Sequence, residues 1–316
     1  MDLSLNETQE AILGSVRTLL ARHRKTDGDA LKRDPEYDLL LERELGEAGF
    51  LDVVTAGGSH LDAALLVELV AREIPVFPIG WRTVLWPALH CEIWPVVPWK
   101  GGAEELTRFA DSARGVVTID EERGAVAVVD IADCEVRSAG ATWGYPVAYV
   151  RPRVNGRALP ISAADCSALW RIGLAAEIVG VAGAAFDHTI QYIKDRKQFG
   201  HPIAANQAIR HRAARLAVEV EKARWLTYEA AWRAPDHELA AAAATVAATM
   251  AELVFQEAHQ MHGAIGYTRE YPLHRWTMRL RALCKELGGA AAHAMAVTAA
   301  RVASSGLTQN DRAVQN

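Results

Sequence analysis

Two short segments carry the residues best suited to hold a phosphate-containing ligand. The first, residues 195–203, has the sequence DRKQFGHPI, and Gln207 follows it. Arg196 would supply a permanently charged donor for a pyrophosphate, and Phe199 a flat face for an aromatic ring system. The second, residues 260–268, has the sequence QMHGAIGYT, whose first glycine would let backbone N–H groups approach a phosphate or ribose. Each segment alone also fits an ordinary turn at the end of a helix.

Long helices on either side would position both segments. Apolar periodicity and turn residues predict four of them, over residues 165–195, 203–233, 237–262 and 277–304. A capping pattern from Ser162 to Asp165 opens the first. Long helices joined by short connections are typical of a four-helix bundle, so we predict such a C-terminal domain over residues 161–316.

The N-terminal part is also predicted to be helical. Apolar stripes predict helices over residues 4–24, from Pro35 to Gly49 and over residues 61–72. Ser4 and Glu7 fit a capping box at the start of the first helix. These elements form a predicted helical domain over residues 1–92.

Residues 93–160 have a different character and predict a reduced, β-rich middle domain. Short β-branched runs predict strands over residues 116–119 and 125–129. Residues 148–150 and 153–154, around Asn155 and Gly156, predict another hairpin. The sequence has no GxGxxG string, so a dinucleotide-binding βαβ unit is not expected. The whole chain is therefore predicted to be mainly α.

Composition excludes several classes of function. Of the 316 residues half are hydrophobic, and the net charge is −5, which argues against nonspecific nucleic-acid binding. The four cysteines lack metal-ligand spacing and are expected to be buried thiols, with no metal site: Cys91, Cys134, Cys166 and Cys284. Neither a signal peptide nor a membrane span is expected, so we predict a cytoplasmic protein.

The order of the three regions, together with the two segments, resembles the acyl-CoA dehydrogenase family. The family's two C-terminal signatures correspond here to RKQFGHPI (residues 196–203) with Gln207 and to QMHG (residues 260–263). The resemblance extends from about residue 165 to residue 290. It is looser over residues 1–75 and poor in the middle.

The resemblance implies an FAD site that is shared between subunits. In the family, the two signatures hold the ADP half of FAD across a subunit interface. The implied contact residues in this chain are Arg196, Phe199, Gln207, Gln260, Met261, His262, Gly263 and Ala264. The family usually has two glycines in the second signature, where this chain has Gly263 followed by Ala264.

The catalytic half of the family site is harder to find. The family reaction uses a carboxylate to take the α proton of an acyl-CoA thioester, while the flavin accepts the β hydride. In most members this base is a glutamate directly before a glycine, whereas Leu287 here separates Glu286 from Gly288. In other members it lies near the position of Trp170. No acid lies in residues 167–174 here, and Glu177 follows about two turns further on. Glu286 is a weak candidate base, and Glu177 is expected rather to face the core or an interface.

The loop that covers the flavin in the family has no counterpart in residues 93–160. That loop contains a Thr-Glu-Pro-like string. Trp94, Trp99 and Trp143 could stack on a flavin, but tryptophans in a small β region more often belong to the core.

The chain thus keeps the part of the site that crosses an interface and lacks the part that surrounds the reacting atoms. We predict a shortened subunit, inactive alone, similar to those of the α2β2 acyl-CoA dehydrogenases of steroid-degrading actinobacteria. The implied partners are a full-length homologue, a bulky, steroid-derived acyl-CoA and an electron-transfer flavoprotein as acceptor. Three alternatives stay open: a self-sufficient homo-oligomer with Glu286 as base, a non-catalytic scaffold subunit, and a flavin monooxygenase.

Overall fold

The structure, a computed structural model, describes residues 4–23, 36–101, 105–140 and 144–305. It is mainly helical, with a small β region in the middle of the chain, as predicted. The first three helices are α1 (Glu7–His23), α2 (Leu39–Glu47) and α3 (His60–Ala71). Pro35, the predicted start of the second helix, lies outside the described residues.

The start of α1 differs from the prediction. Asn6 and Gln9 exchange hydrogen bonds, with Asn6 N–H donating to Gln9 Oε1 at 3.1 Å and Gln9 N–H donating to Asn6 Oδ1 at 2.9 Å. The reciprocal cap therefore lies two residues beyond the predicted Ser4–Glu7 pair, because asparagine also caps helices well.

Within the described residues of the middle region, seven strands form two sheets. The first sheet has the order β1 (Val96–Trp99), β3 (Gly115–Asp120), β4 (Ala125–Asp130) and β7 (Arg157–Ala158). The second has the order β2 (Glu105–Arg108), β6 (Val147–Pro152) and β5 (Cys134–Ala139). Only the β1–β3 pair among these ladders is parallel. A π-helical turn, Trp81–Leu85, and the short helix α4 (Trp86–Leu89) precede the sheets.

The hairpin predicted around Asn155 and Gly156 is wrong. The strand before this pair, β6, lies in the second sheet, and the strand after it, β7, pairs with β4 in the first. A Cβ atom on Gly156 would lie 2.4 Å from the carbonyl oxygen of Val128. The glycine therefore lets the chain pass close to β4 as it crosses between the sheets.

The remaining helices form the bundle: α5 (Ala163–Asp195), α6 (Gln207–Trp232), α7 (His237–His262), α8 (Leu273–Leu283) and α9 (Gly289–Ser305). The hairpin β8 (Lys197–Gln198) and β9 (His201–Pro202) joins α5 to α6. Ser162 caps α5 as predicted, its side chain accepting from Asp165 N–H at 3.0 Å. Helix α6 begins at Gln207, since Ile203–Ala205 is a separate 3₁₀ turn.

The predicted last helix, residues 277–304, is interrupted. Leu287, Gly288 and Gly289 have φ values of 55°, 85° and 73°. Positive φ at consecutive residues cannot continue a right-handed helix, so α8 and α9 are distinct elements.

Two helices of the described chain have the length and composition of a membrane span. Within the 33-residue α5, 89% of the apolar window is buried in the fold, and within residues His237–Tyr267 the figure is 50%. The apolar length of α5 is thus accounted for by its central place in the bundle.

Candidate functional site

The first signature segment lies where α5 ends. Arg196 is the C-terminal cap of α5, and its N–H donates to the carbonyl oxygen of Tyr192 at 2.8 Å. The hairpin that follows turns at Phe199 and Gly200, with φ values of 52° and 85°. A phenylalanine in the left-handed region is uncommon, and here it holds the ring 96% exposed to solvent.

The second signature segment lies beside the first. Gly263 ends α7 with φ 65° and ψ −144°. Just before it, the His262 ring stacks on Tyr192 with centroids 4.2 Å apart, and the Tyr192 hydroxyl donates to the His262 carbonyl oxygen at 3.3 Å. Because Tyr192 lies one turn before Arg196, both signatures are brought to the same end of the bundle.

The predicted cofactor contacts divide by exposure. Six, which together we call the signature surface, are exposed: Arg196, Phe199, Gln207, Gln260, Gly263 and Ala264. Met261 and His262 are instead buried, and burial lowers the pKa of His262, so that its ring is neutral at physiological pH. These two side chains support the surface from beneath rather than extend into solvent.

The exposed set has the chemistry that the ADP half of FAD requires. Arg196 offers a charged donor for a pyrophosphate, and two amide side chains and a flat ring are exposed with it. No atom lies within 4 Å of the position that a Cβ would take on Gly200 or Gly263. A ligand can therefore approach the backbone at both glycines.

A second polar group, the Arg108 cluster, lies inside the fold and comprises Arg108, Glu177, Glu286 and Arg279. Arg108 Nη1 donates to Glu177 Oε2 at 2.9 Å, and Arg108 Nε donates to Glu286 Oε2 at 2.8 Å. Each carboxylate has a further donor: Gly80 N–H lies 2.9 Å from Glu177 Oε1, and Trp170 Nε1 lies 2.6 Å from Glu286 Oε1. Arg279 donates to the carbonyl oxygen of Pro75.

Aromatic rings surround this cluster. The guanidinium carbon of Arg108 lies 4.8 Å from the ring centroids of both Trp81 and Tyr145, and 5.6 Å from that of Phe109. Arg279 lies 4.2 Å from the Tyr145 centroid. Two arginines thus balance two glutamates within a shell of rings, which is the arrangement that buried charges need.

Charge pairing keeps the Arg108 guanidinium protonated. Burial alone opposes its charge, but Glu177 and Glu286 together outweigh burial and raise the pKa of Arg108. Burial raises the pKa of the Tyr145 hydroxyl and lowers the pKa of Arg279. The Arg108 cluster is therefore a charge-balanced, buried network, in which Arg108 Nη2 is the one guanidinium nitrogen without a hydrogen-bond partner among the described residues.

Both residues weighed as catalytic bases belong to this network. Glu177 is 2% exposed and faces the core, as expected. Both oxygens of Glu286 accept hydrogen bonds, and its side chain is 13% exposed. Sequence reasoning did not identify Arg108, which lies 69 residues from Glu177 and 178 from Glu286, because no local pattern marks it.

Two of the three tryptophans considered as flavin contacts, Trp94 and Trp99, pack within the fold. Trp94 packs on Trp86 with centroids 5.8 Å apart and donates to Glu42 Oε1 at 2.6 Å. Trp99 ends β1 and packs against the core, and Trp143 lies outside the described residues. All four cysteines are buried, unpaired thiols, as expected.

Comparison with known proteins decides the family. Residues 164–303 match the model of the acyl-CoA dehydrogenase C-terminal domain. Acyl-CoA dehydrogenase IpdE2 of Mycobacterium tuberculosis is 30% identical over 300 residues, which cover 86% of this chain and 91% of that protein. The chain belongs to the acyl-CoA dehydrogenase family.

Solved structures show that the acyl-CoA dehydrogenase fold extends over nearly the whole chain. The Tcur3481-Tcur3483 steroid ACAD G363A variant aligns with a TM-score of 0.79 and 22% identity, covering 96% of this chain and 100% of that one. The ChsE4-ChsE5 complex from Mycobacterium tuberculosis aligns with a TM-score of 0.78 and 20% identity, covering 96% and 99%. The reduced middle region is therefore part of the family fold.

Proposed function

We propose that the chain is a subunit of a heteromeric, FAD-dependent acyl-CoA dehydrogenase and holds the ADP half of a flavin whose ring lies in a partner subunit. The observation that carries the proposal is the outward-facing signature surface: Arg196, Phe199 and Gln207 are all exposed. When bound, FAD would supply the hydride acceptor. The chain's own residues would bind and orient it, Arg196 through the pyrophosphate and Phe199 against a ring.

The Arg108 cluster supports an assignment of the base to the partner. A general base must reach the substrate proton directly or through one water. Glu286 has both oxygens in hydrogen bonds to Arg108 and Trp170, and Glu177 is enclosed by Arg108 and Gly80. In this proposal the partner is a full-length homologue that supplies the flavin pocket and the base.

The substrate and assembly follow from the relatives by analogy. One aligned structure is that of a steroid ACAD, and another is that of the ChsE4-ChsE5 complex. We propose a bulky, steroid-derived acyl-CoA as substrate and an α2β2 assembly. Electron-transfer flavoprotein is the proposed acceptor, and the cytoplasm the proposed location.

Removing the arginine of the signature surface should deplete flavin from the complex. Arg196→Ala, co-expressed with the full-length homologue, is expected to lower bound FAD per complex at least about tenfold, since a charge-assisted pyrophosphate contact is lost. The matched control is Arg123→Ala in the β3–β4 turn, where the side chain is 84% exposed. The neighbouring Gly124 carbonyl oxygen accepts from Ala163 N–H at the N-terminal end of α5, whereas Arg196 lies at the C-terminal end of that 33-residue helix. Absorbance of released flavin against protein mass gives the measurement.

The same experiment separates the rival functions. Unchanged flavin in Arg196→Ala would refute the shared-site assignment. A complex that never contains flavin would indicate a scaffold subunit. A yellow, active homo-oligomer of this chain alone would indicate a self-sufficient enzyme.

A second variant tests where the base lies. Glu286→Gln is expected to change kcat of the flavin-loaded complex less than about threefold, whereas loss of a general base typically costs about 10²–10⁴-fold. Glutamine keeps the shape of the side chain and can still accept from Trp170. Steady-state kinetics at several pH values, on complex of confirmed flavin content, gives the measurement. A loss of a hundredfold or more would place the base in this chain.

A further inference from the structure

Three basic side chains and one carboxylate lie together near the start of α5. Lys100 follows β1 and Glu121 follows β3, and the C-terminal ends of these parallel neighbours lie at one edge of the first sheet. Arg171 lies in α5, and His293 lies near the start of α9. The charges of Arg171 and Lys100 act on the His293 ring, and that of Glu121 acts on Arg171. We call these four residues the His293 cluster.

The His293 cluster is short of hydrogen-bond partners. His293 is 1% exposed, and neither of its ring nitrogens has a partner in the part of the chain that the structure describes. Arg171 Nε is likewise buried without a partner among these residues. Buried polar groups are paired with protein, water or ligand in the great majority of cases. The unpaired nitrogens of two neighbouring side chains therefore indicate a site for a further group.

The cluster also has more positive than negative charge. Lys100 Nζ and the Ser167 hydroxyl both donate to Glu121 Oε1, at 2.5 Å and 2.9 Å. Glu121 is thus the ion-pair partner of Lys100. Burial lowers the pKa of Arg171, and the charge of Glu121 only partly opposes this effect. Two cations share one carboxylate, and a water molecule would not neutralise the remaining charge.

A phosphate group has the chemistry that these side chains require. Burial, and then the charges of Arg171 and Lys100, lower the pKa of His293 to about 4, so its ring is neutral at pH 7. A neutral imidazole has one donor and one acceptor, whereas a guanidinium has only donors. Hydrogen phosphate has oxygens that accept from the guanidinium and a hydroxyl that can donate to the imidazole. A carboxylate offers only acceptors.

We propose that the His293 cluster binds a phosphate group, with Arg171 Nε and a ring nitrogen of His293 as direct partners and Lys100 as a supporting charge. Arginine is the side chain best suited to phosphate. Helix α9 begins at Gly289, and its positive end lies on the side toward which the His293 side chain leans. The cluster is open to solvent at Glu121, whose side chain is 51% exposed.

This phosphate site is separate from the signature surface. Arg171 lies near the N-terminal end of α5 and Arg196 caps the other end. Along the helix the two positions are about 37 Å apart, at a rise of about 1.5 Å per residue. A phosphate at the His293 cluster is therefore not the pyrophosphate of a flavin held by Arg196. The inference does not depend on the proposed function.

Thermal unfolding of the purified full chain tests the site. Inorganic phosphate is titrated in a zwitterionic buffer, with sodium chloride at equal ionic strength as the reference. A ligand that binds only the folded chain raises the unfolding midpoint as its concentration increases, and the dissociation constant follows from this dependence. We expect phosphate to raise the midpoint by about 2 °C or more, and the reference salt to raise it less.

The same titration distinguishes two sources of the phosphate. ADP and CoA are compared with inorganic phosphate in the Arg196→Ala chain, whose signature surface has lost its charged donor. Tighter binding of ADP or CoA would identify a nucleotide ligand. Equal or weaker binding of both would identify free phosphate.

Two substitutions separate ligand binding from folding. Arg171→Met should weaken phosphate binding at least about tenfold, because the charged donor is lost. It should not destabilise the phosphate-free chain, since it removes a cation that burial disfavours. His293→Leu should have the same two effects, because it removes two unpaired buried nitrogens. Arg171→Lys keeps the charge and should retain part of the affinity.

Arg123→Met is the matched control, since this arginine is 84% exposed in the β3–β4 turn and lies outside the cluster. It should leave phosphate affinity unchanged. FAD per complex should also stay unchanged in Arg171→Met. Arg196→Ala should lower FAD and leave phosphate affinity in place, so the two sites are reported independently.

Either of two results would overturn the inference. Phosphate that raises the unfolding midpoint no more than the reference salt would show that the folded chain has no such site. Full phosphate affinity in Arg171→Met and in His293→Leu would show that phosphate binds elsewhere. If both variants also destabilised the phosphate-free chain, Arg171 and His293 would serve the fold rather than a ligand.

Discussion

Arg108→Ala is expected to destabilise the chain by about 3–5 kcal/mol at neutral pH, because it leaves a buried carboxylate without its charge partner. Arg108 is 5% exposed and donates to Glu177 at 2.9 Å and to Glu286 at 2.8 Å. Glu286 is near enough to the surface to recover some hydration. Glu177 would keep only the hydrogen bond from Gly80 N–H. Urea unfolding at pH 7 gives the free-energy difference.

The pH dependence identifies charge as the cause. Burial raises the pKa of Glu177 above its ordinary value, against the opposing effect of Arg108, and removing Arg108 should raise it further. A carboxyl whose folded pKa exceeds its unfolded value binds more protons when folded. The contribution of such a group to the free energy of unfolding is present below the unfolded pKa, about 4.3. That contribution is lost as pH rises through the folded pKa. The deficit of Arg108→Ala should therefore shrink as pH falls from 7 toward 4.3.

A double variant supplies the control. Arg108→Met with Glu177→Gln replaces the charged pair by a neutral one of similar size and should recover part of the lost stability. A deficit that is independent of pH and persists in the double variant would mean that Arg108 matters through packing against Trp81 and Tyr145, not through its charge.

The features predicted correctly are those that local sequence determines. The Ser162–Asp165 cap, the helix that follows it and the turn around Gly200 each depend on residues a few positions apart. The family signatures are contiguous strings, and for that reason both could be recognised in one sequence. Their meeting at one end of the bundle follows from the antiparallel course of long helices.

The Arg108 cluster could not be predicted because its members come from three distant parts of the chain. Arg108 ends β2, Glu177 lies in the middle of α5, and Glu286 follows α8. Helix periodicity can place Glu177 on a buried face, but it does not show which cationic side chain stabilises the buried carboxylate. The three-dimensional arrangement alone shows that the two candidate bases share one guanidinium.

Some predicted turns and helix boundaries are wrong at positions where the local sequence signal differs from what the tertiary packing requires. Asn155-Gly156 fits a hairpin turn, yet tertiary packing uses Gly156 for a close crossing over Val128. The prediction places Leu287 in a continuous helix because leucine favours helix. The left-handed conformation that Leu287 adopts in the structure has no signal in the sequence. Met261 and His262 belong to a signature string, but helical geometry turns both side chains inward.

Gly180→Ala is expected to destabilise the chain by about 1–3 kcal/mol, although alanine is the better helix former. Gly180 lies in the middle of α5 where α3 crosses it. A Cβ atom there would lie 2.3 Å from the carbonyl oxygen of Glu68 and 2.9 Å from the Cβ of Ala71. Both obstacles are rigid parts of α3, so the helices must separate. Thermal and urea unfolding measure the loss.

The displacement of α3 away from α5 in Gly180→Ala should also affect α6. The Glu68 side chain, 7% exposed, accepts from Arg224 Nε at 2.8 Å and from the Tyr228 hydroxyl at 2.6 Å. Moving the α3 backbone would lengthen both bonds and loosen α6 against the bundle. Burial and the Glu68 carboxylate now raise the pKa of Tyr228, so the phenol should titrate at lower pH in Gly180→Ala than in the wild type.

Gly14→Ala in α1 is the matched control, since no atom lies within 4 Å of the Cβ position there. This substitution should stabilise the chain by about 0.5–1 kcal/mol, the ordinary gain from replacing glycine inside a helix. The two variants make the same chemical change in two helices, so opposite signs would isolate the contact between α3 and α5. Stabilisation by both would mean that α3 moves aside at little cost and that the close approach at Gly180 is not required by the fold.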